Sequence, residues 1–355
     1  MTLNDKSLSL INMTKNLRKP FDANVKPGDK VHILTDFDHD PLVWQAAAAI
    51  VTELGGEPVI SLYETRPADY YDPPQSVTKA MLEANINVFL TSTALFHSEA
   101  AHTAMENGIP SIVMDGGMTA EMFEKGAVEA DYLEIAKLKH IVGERVFGED
   151  AKTVRVTSEY GTDITYSVEG RIFIPGLPAD DYDPFKAYSR SKEGRKASPL
   201  YGTLFPTGEF NVPPVEGSGE GRIVVDVSMH QLGLLKDPVA LEISNGRIKD
   251  IQGGYQARLL KEYLEEYGDE NAYMMPTEAS IGINRHTRIT GVQREDKNYW
   301  GSIHFGLGTN ADVGGTVKSK LHMDGVILQP TVIVDSVTKI ERGEFLVDLS
   351  LDGSK

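Results

Sequence analysis

The chain has 355 residues, of which 41% are hydrophobic and 25% charged, and this predicts a folded protein of two domains rather than a disordered, collagen-like or coiled-coil chain. It contains no cysteine, which excludes disulfides, thiolate catalysis and cysteine-bound metals, and leaves His, Asp, Glu and main-chain oxygens as metal ligands. The net charge of −17 argues against a nucleic-acid-binding surface, because neutralising phosphates needs clustered cations.

The N-terminal segment, residues 1–22, lacks the basic-then-apolar order of a secretory signal. No stretch approaches the roughly 18–20 apolar residues that cross a bilayer, so we expect a cytoplasmic protein with no membrane partner.

Between residues 25 and 148, short β-branched runs alternate with amphipathic stretches. The predicted strands cover 31–37, 57–64, 86–93 and 109–117, and the predicted helices cover 40–56, 76–84 and 98–108. This alternation predicts a mostly parallel sheet covered by helices, over a domain of residues 1–150.

After residue 150 the pattern changes to strands and turns. Residues 152–171 alternate at period two around a glycine turn and predict a hairpin, whereas residues 175–199 predict a long surface loop. Further strands and one helix, at 255–268, follow. We therefore expect a β-rich α+β domain over residues 151–355. No glycine-rich turn has the spacing of a nucleotide-binding loop.

Two polar residues near the C-terminus could bind one ion. His322 and Asp324 are two residues apart, and in a strand such residues project from the same face about 6.5–7 Å apart. His304 lies in an apolar run punctuated by glycines, and Glu209 and Glu278 also have apolar neighbours. A carboxylate in such surroundings is costly unless it is paired or metal-bound.

Taken together, these five residues form a two-His, three-carboxylate set of the kind that holds one or two divalent ions in hydrolases. Separate buried salt bridges would explain the same residues, and composition and spacing do not decide between the two interpretations. Most other histidines are expected to have structural or surface roles. His39, between two aspartates and before Pro41, is expected in a strand-to-helix turn and cap.

The segments FPTGEFNVPP, TEASIGIN, SIHFGLGTN and LHMDGVI occur in the order seen in the thermophilic-type metalloaminopeptidases, the family of aminopeptidase T and aminopeptidase S. The chain resembles this family over most of its length. The resemblance implies a two-metal centre of zinc, cobalt or manganese, held by Glu209, Glu278, His304, His322 and Asp324. It also implies a homodimer and a small or short-peptide substrate whose amide bond is cleaved by metal-activated water.

Two positions depart from the pattern of this family. A tyrosine seven residues after the metal-binding histidine is replaced by Ala311, and the segment KNYWGSIH stands where a carboxylate-rich stretch is usual. A binding protein with a decayed site is therefore a third possibility.

The sequence also resembles the 2,5-dihydroxypyridine ring-cleaving dioxygenases, which keep the H-x-D pair and one additional histidine as a single iron(II) site. In this chain Glu278 stands where that histidine would be, and Glu209 and His304 are retained. The sequence therefore favours a metallohydrolase of the aminopeptidase type, with the dioxygenase as the alternative. His230 is a candidate for proton transfer or substrate binding, with a structural place in the core or at the rim as the alternative, and the ligand glutamates are equal candidates for the general base.

Overall fold

The computed structural model describes residues 3–148, 150–171, 185, 188–189 and 201–350. The expected surface loop at 175–199 lies outside the described residues except at 185 and 188–189. The α-helices are α1 (Leu3–Asn24), α2 (Pro41–Glu53), α3 (Gln75–Glu83), α4 (Glu99–Glu106), α5 (Ala120–Glu124), α6 (Tyr132–Val142), α7 (Tyr255–Tyr267) and α8 (Gln293–Asp296). The strands are β1 (Lys30–Asp36), β2 (Glu57–Tyr63), β3 (Ile86–Leu90), β4 (Ser111–Val113), β5 (Thr153–Thr157), β6 (Asp163–Ser167), β7 (Tyr188–Ser189), β8 (Tyr201–Leu204), β9 (Glu209–Asn211), β10 (Glu220–Val225), β11 (Ser228–Met229), β12 (Gly233–Leu234), β13 (Val239–Ser244), β14 (Arg247–Gln252), β15 (Glu278–Gly282), β16 (Ile303–Gly308), β17 (His322–Ile327), β18 (Thr331–Val334), β19 (Val337–Glu341) and β20 (Glu344–Phe345).

The chain divides into two compact units that are discontinuous in sequence. One unit comprises residues 1–130 and 183–207, and the other comprises 131–182 and 208–355. The sequence pattern predicts a single boundary at residue 150 instead. The difference arises because β8 follows the hairpin of β5 and β6 in sequence but pairs with β4 of the first sheet.

The first unit contains a sheet in the order β2-β1-β3-β4-β8-β7. Its first five strands are parallel, and β7 is antiparallel to β8. Strand β3 is buried along its whole length, as expected for a parallel strand covered on both faces. At the start of α2, the Asp40 carboxylate accepts a hydrogen bond from the Leu42 amide at 2.9 Å, so the turn around His39 ends in the expected cap.

The second unit contains two antiparallel sheets. An eight-stranded sheet has the order β14-β13-β10-β6-β5-β18-β19-β20, and a six-stranded sheet has the order β12-β11-β17-β16-β15-β9. One face of the six-stranded sheet packs on the eight-stranded sheet, where the rings of Phe305 and Tyr166 meet edge to face at 6.0 Å. The predicted fold class, an α/β N-terminal part followed by a β-rich part, is confirmed. Within the described ranges, no helix combines the length and the apolar character needed to cross a bilayer.

Candidate metal centre

Strand alternation brings the predicted ligands to one face of the six-stranded sheet. Gly306 on β16 pairs with Glu278 on β15 and with Asp324 on β17. Side chains two residues apart along a strand project to the same face, so His304 and His322 join the two carboxylates there. All four side chains are buried.

Strand β9 extends the same face at the edge of the sheet. Glu209 pairs with Gly282 and Asn211 pairs with Ser280, and both partners are in phase with Glu278 along β15. The five residues predicted as ligands therefore meet, although they come from four strands spread over more than a hundred residues. They form one connected cluster and not separate ion pairs, because His304 contacts both Glu209 and Glu278, and His322 contacts both Glu278 and Asp324.

The ligand atoms lie close enough to share an ion. His322 Nε2 is 3.0 Å from Asp324 Oδ1 and 3.2 Å from Glu278 Oε2. His304 Nε2 is 3.3 Å from Glu278 Oε1 and 3.7 Å from Glu209 Oε2. The atoms form two groups of three, each within 4.8 Å of one another, and Glu278 belongs to both. Nitrogen and oxygen donors in this arrangement fit a divalent metal ion.

The group of Glu278, His322 and Asp324 is oriented by further hydrogen bonds. His322 Nδ1 donates to the carbonyl oxygen of Thr309 at 2.8 Å, so in the neutral ring Nε2, which faces the two carboxylates, carries the lone pair that can bind a metal ion. On the other side, Ser280 Oγ donates to Glu278 Oε1 at 2.9 Å. Such contacts fix the rotation of a ligand side chain and are typical of metal sites.

The remaining group is less firmly held. His304 Nδ1 is buried and has no hydrogen-bond partner among the described residues, so the rotation of this ring is not fixed from behind. Glu209 Oε2 likewise accepts no well-formed hydrogen bond within the described part of the chain. Asp324 Oδ1 also lacks a well-formed hydrogen bond among these residues. Hydrogen bonds with Thr309 and Ser280 nevertheless hold His322 and Glu278, so the group of Glu278, His322 and Asp324 has the more firmly held ligands.

Gly306 forms the floor of the centre. A Cβ atom built at this position would lie 2.9 Å from Glu278 Cβ, 2.9 Å from His322 Cε1 and 3.1 Å from Asp324 Oδ1. Real Cβ atoms do not approach other atoms so closely, so any larger residue would displace the ligands. The glycine supplies the space in which the ligand atoms converge, a role that the spacing of the sequence motifs did not suggest.

The electrostatics of the centre are those of a site built for a cation. Burial favours the neutral acid, but contacts with His304 and His322 lower the pKa of Glu278 well below its ordinary value. Burial also opposes the charged form of His322, yet Asp324 and Glu278 raise the pKa of this imidazole well above its ordinary value. The raised pKa values of His322 and His304 mean that a proton and a metal ion compete for the same imidazole nitrogens.

A lysine that is largely buried, and that the sequence motifs do not indicate, completes the centre. Lys297, directly after α8, places Nζ 3.3 Å from Glu209 Oε2 and 3.8 Å from Asp324 Oδ2. Burial lowers the pKa of this ammonium, but the surrounding carboxylates raise it by a larger amount. The resulting pKa lies above the ordinary value of lysine. Lys297 is the first residue of KNYWGSIH, the segment in which the sequence departs from the aminopeptidase pattern.

His230 lies beside the centre. It follows β11, and its amide donates to the carbonyl oxygen of Asp324 at 3.0 Å, so the two residues are neighbours across the β11–β17 pair. Its role in proton transfer stays a prediction.

Comparison with known proteins identifies the family. The model of the 2,5-dihydroxypyridine 5,6-dioxygenase (NicX) family matches residues 12–347, nearly the whole chain. The chain belongs to this family. A 2,5-dihydroxypyridine 5,6-dioxygenase of Pseudomonas putida is 26% identical to it over 151 residues, which are 39% of this chain and 43% of that protein. The sequence match therefore spans less than half the length of this NicX relative.

Two solved structures share the fold. The 2,5-dihydroxypyridine dioxygenase from Pseudomonas putida KT2440 has a TM-score of 0.69 at 17% identity, covering 95% of this chain and 97% of that one. AmpT from Thermus thermophilus has a TM-score of 0.63 at 14% identity, covering 95% and 99%. The resemblance to aminopeptidase T is thus confirmed for the fold.

The prediction of a metallohydrolase is wrong. The match to the NicX family over residues 12–347 overturns the assignment as a hydrolase, metalloprotease or aminopeptidase. The error has a physical reason, since imidazole and carboxylate donors in one pocket serve hydrolytic and oxygen-dependent centres alike. A divalent metal site, in contrast, is supported by the family and by the converging side chains.

Proposed function

We propose that the protein is an iron(II)-dependent dioxygenase that opens the ring of a dihydroxylated pyridine. The observation that carries this proposal is the family match over residues 12–347, on a chain whose buried nitrogen and oxygen ligands converge. The substrate class follows from the name of the family, 2,5-dihydroxypyridine 5,6-dioxygenase.

Glu278, His322 and Asp324 are the residues proposed to hold the iron. Their support is the carbonyl of Thr309 behind His322 and the hydroxyl of Ser280 beside Glu278. One histidine and two carboxylates replace the more usual two histidines and one carboxylate, and three such ligands leave positions open for other groups. Bound iron(II) would supply the redox chemistry with dioxygen and a Lewis acid for the substrate hydroxyl.

The other polar residues of the pocket are proposed to handle the substrate. Bound iron would make the substrate hydroxyl more acidic, so the centre would need a group of the protein to accept that proton. The Glu209 carboxylate and His304 Nε2, 3.7 Å apart, lie next to the proposed iron ligands and are suited to that task. His230 is a second candidate on the other side of Asp324. A homodimer, a cytoplasmic location and the absence of nucleic-acid partners stay predictions.

Anaerobic reconstitution with Fe²⁺ tests the proposal. After admission of oxygen, the loaded protein should consume oxygen and 2,5-dihydroxypyridine in equal amounts, and the zinc-loaded protein should consume neither. Asp324→Asn is the matched control, because it keeps the shape of the side chain and removes its charge. Loss of turnover in this variant is expected with unchanged circular dichroism. Absence of oxygen uptake by the iron-loaded wild-type chain would overturn the proposal.

A further inference from the structure

The ammonium group of Lys297 lies inside the metal centre, and the surrounding structure fixes its position. Its side chain is only 13% exposed, and Nζ contacts carboxylates from two different strands, on Glu209 and Asp324. The preceding residue anchors the backbone, because Asp296 Oδ1 accepts from the Thr290 amide at 2.6 Å and Oδ2 accepts from the Gly291 amide at 2.8 Å. These hydrogen bonds hold the backbone next to Lys297, so the position of the lysine does not depend on a flexible surface loop.

The donor atoms alone would suit two ions. The group of Glu209, Glu278 and His304 and the group of Glu278, His322 and Asp324 share one carboxylate, as two neighbouring metal sites would. Lys297 Nζ is in contact with a carboxylate that belongs to only one group, Glu209, and with one that belongs only to the other, Asp324. A positive charge thus already lies between the two groups.

The charges of the pocket point to the same conclusion. The carboxylates of Glu278 and Asp324 are buried and that of Glu209 is partly buried. With the ammonium of Lys297 they leave two net negative charges when the imidazoles are neutral, and one divalent ion neutralises them. A second divalent ion would make the pocket strongly positive and would lie next to the ammonium, with little water to screen the repulsion.

We propose that Lys297 takes the place of a second cation and thereby limits this centre to one divalent ion. This proposal rests on the metal centre described under Proposed function, and it adds the residue that sets how many metal ions the centre binds. A centre with one ion cannot bridge a water molecule between two metals, which is the arrangement that two-metal hydrolases use. Lys297 is thus a positioning residue that separates this chain from that chemistry.

Titration of the metal-stripped full-length chain with Co²⁺ tests the proposal. Isothermal titration calorimetry and native mass spectrometry should give one ion per wild-type chain. Lys297→Met removes the charge at similar volume and should bind two ions, whereas Lys297→Arg keeps the charge and should bind one. In the double variant with Glu209→Gln, the count should return to one, which locates the second ion at Glu209. Cobalt absorption spectra report the same change.

Several outcomes would overturn the inference. Two ions in the wild-type chain, or one ion in a folded Lys297→Met chain, contradict it directly. Should Lys297→Met unfold when stripped of metal, excess Co²⁺ is expected to restore its thermal transition with two ions bound, and failure to do so counts against the inference. A wild-type chain that binds no ion overturns the proposed metal centre as well, so the two failures are distinguishable.

Discussion

Gly306 offers a direct test of the metal centre, since one added methyl group would enter the space where the ligands converge. In Gly306→Ala the new Cβ would lie 2.9 Å from both Glu278 Cβ and His322 Cε1. The residue's backbone does not require glycine, so the variant should fold, with the destabilisation of about 1–3 kcal/mol typical of an overpacked site. The displaced ligands should weaken metal binding by about tenfold to a hundredfold, as loss of ligand support does elsewhere.

Gly325→Ala is the matched control. Gly325 lies on the neighbouring strand β17 but faces the opposite side of the sheet, where its Cβ would lie 2.5 Å from Val225 Cγ2. This variant should lose a similar free energy of unfolding and keep the metal affinity of the wild type. Calorimetric titration with Co²⁺ and thermal unfolding measure both quantities. Equal metal affinity in Gly306→Ala and the wild type would refute the placement of the ion above Gly306.

Three further predictions concern the ligands. His322→Ala should abolish metal retention, as measured by elemental analysis after dialysis without chelators, and should leave the far-ultraviolet circular dichroism unchanged. Ser280→Ala should weaken metal binding by up to about tenfold, because Glu278 loses a hydrogen bond that fixes its rotation; an unchanged dissociation constant would show that this bond is unimportant. The raised pKa of His322 makes its proton a competitor of the ion. Metal affinity, measured by titration, should therefore rise as the pH increases above the ordinary imidazole pKa of 6.5. Over the same pH range, the metal-stripped chain should lose the stability that the protonated ring contributes.

Local sequence patterns account for much of the fold and for part of the site. Period-two alternation places His322 and Asp324 on one face, and β-branched runs locate the buried strands of the first unit. Such local patterns do not determine the order of the strands in an antiparallel sheet. That β15 pairs with both β9 and β16, bringing Glu209 next to His304, emerges only from the structure.

Lys297 and the chemistry illustrate two further limits. The lysine follows a four-residue helix in a polar segment, and nothing local distinguishes it from a solvent-exposed cation. Its burial depends on strands distant in sequence. The identity of the reaction was also out of reach of the motifs, because the same donor atoms support hydrolysis and oxygen chemistry. The family match is what favours oxygen chemistry in the function proposed above.

Isotope labelling tests the central claim most directly. The iron-loaded protein is supplied with 2,5-dihydroxypyridine under ¹⁸O₂, and the ring-opened product is analysed by mass spectrometry. A dioxygenase transfers both atoms of one oxygen molecule, so the product should carry two labelled oxygens, with none taken from the water. Incorporation of oxygen from labelled water in place of ¹⁸O₂ would contradict the account and return the chain to hydrolytic chemistry.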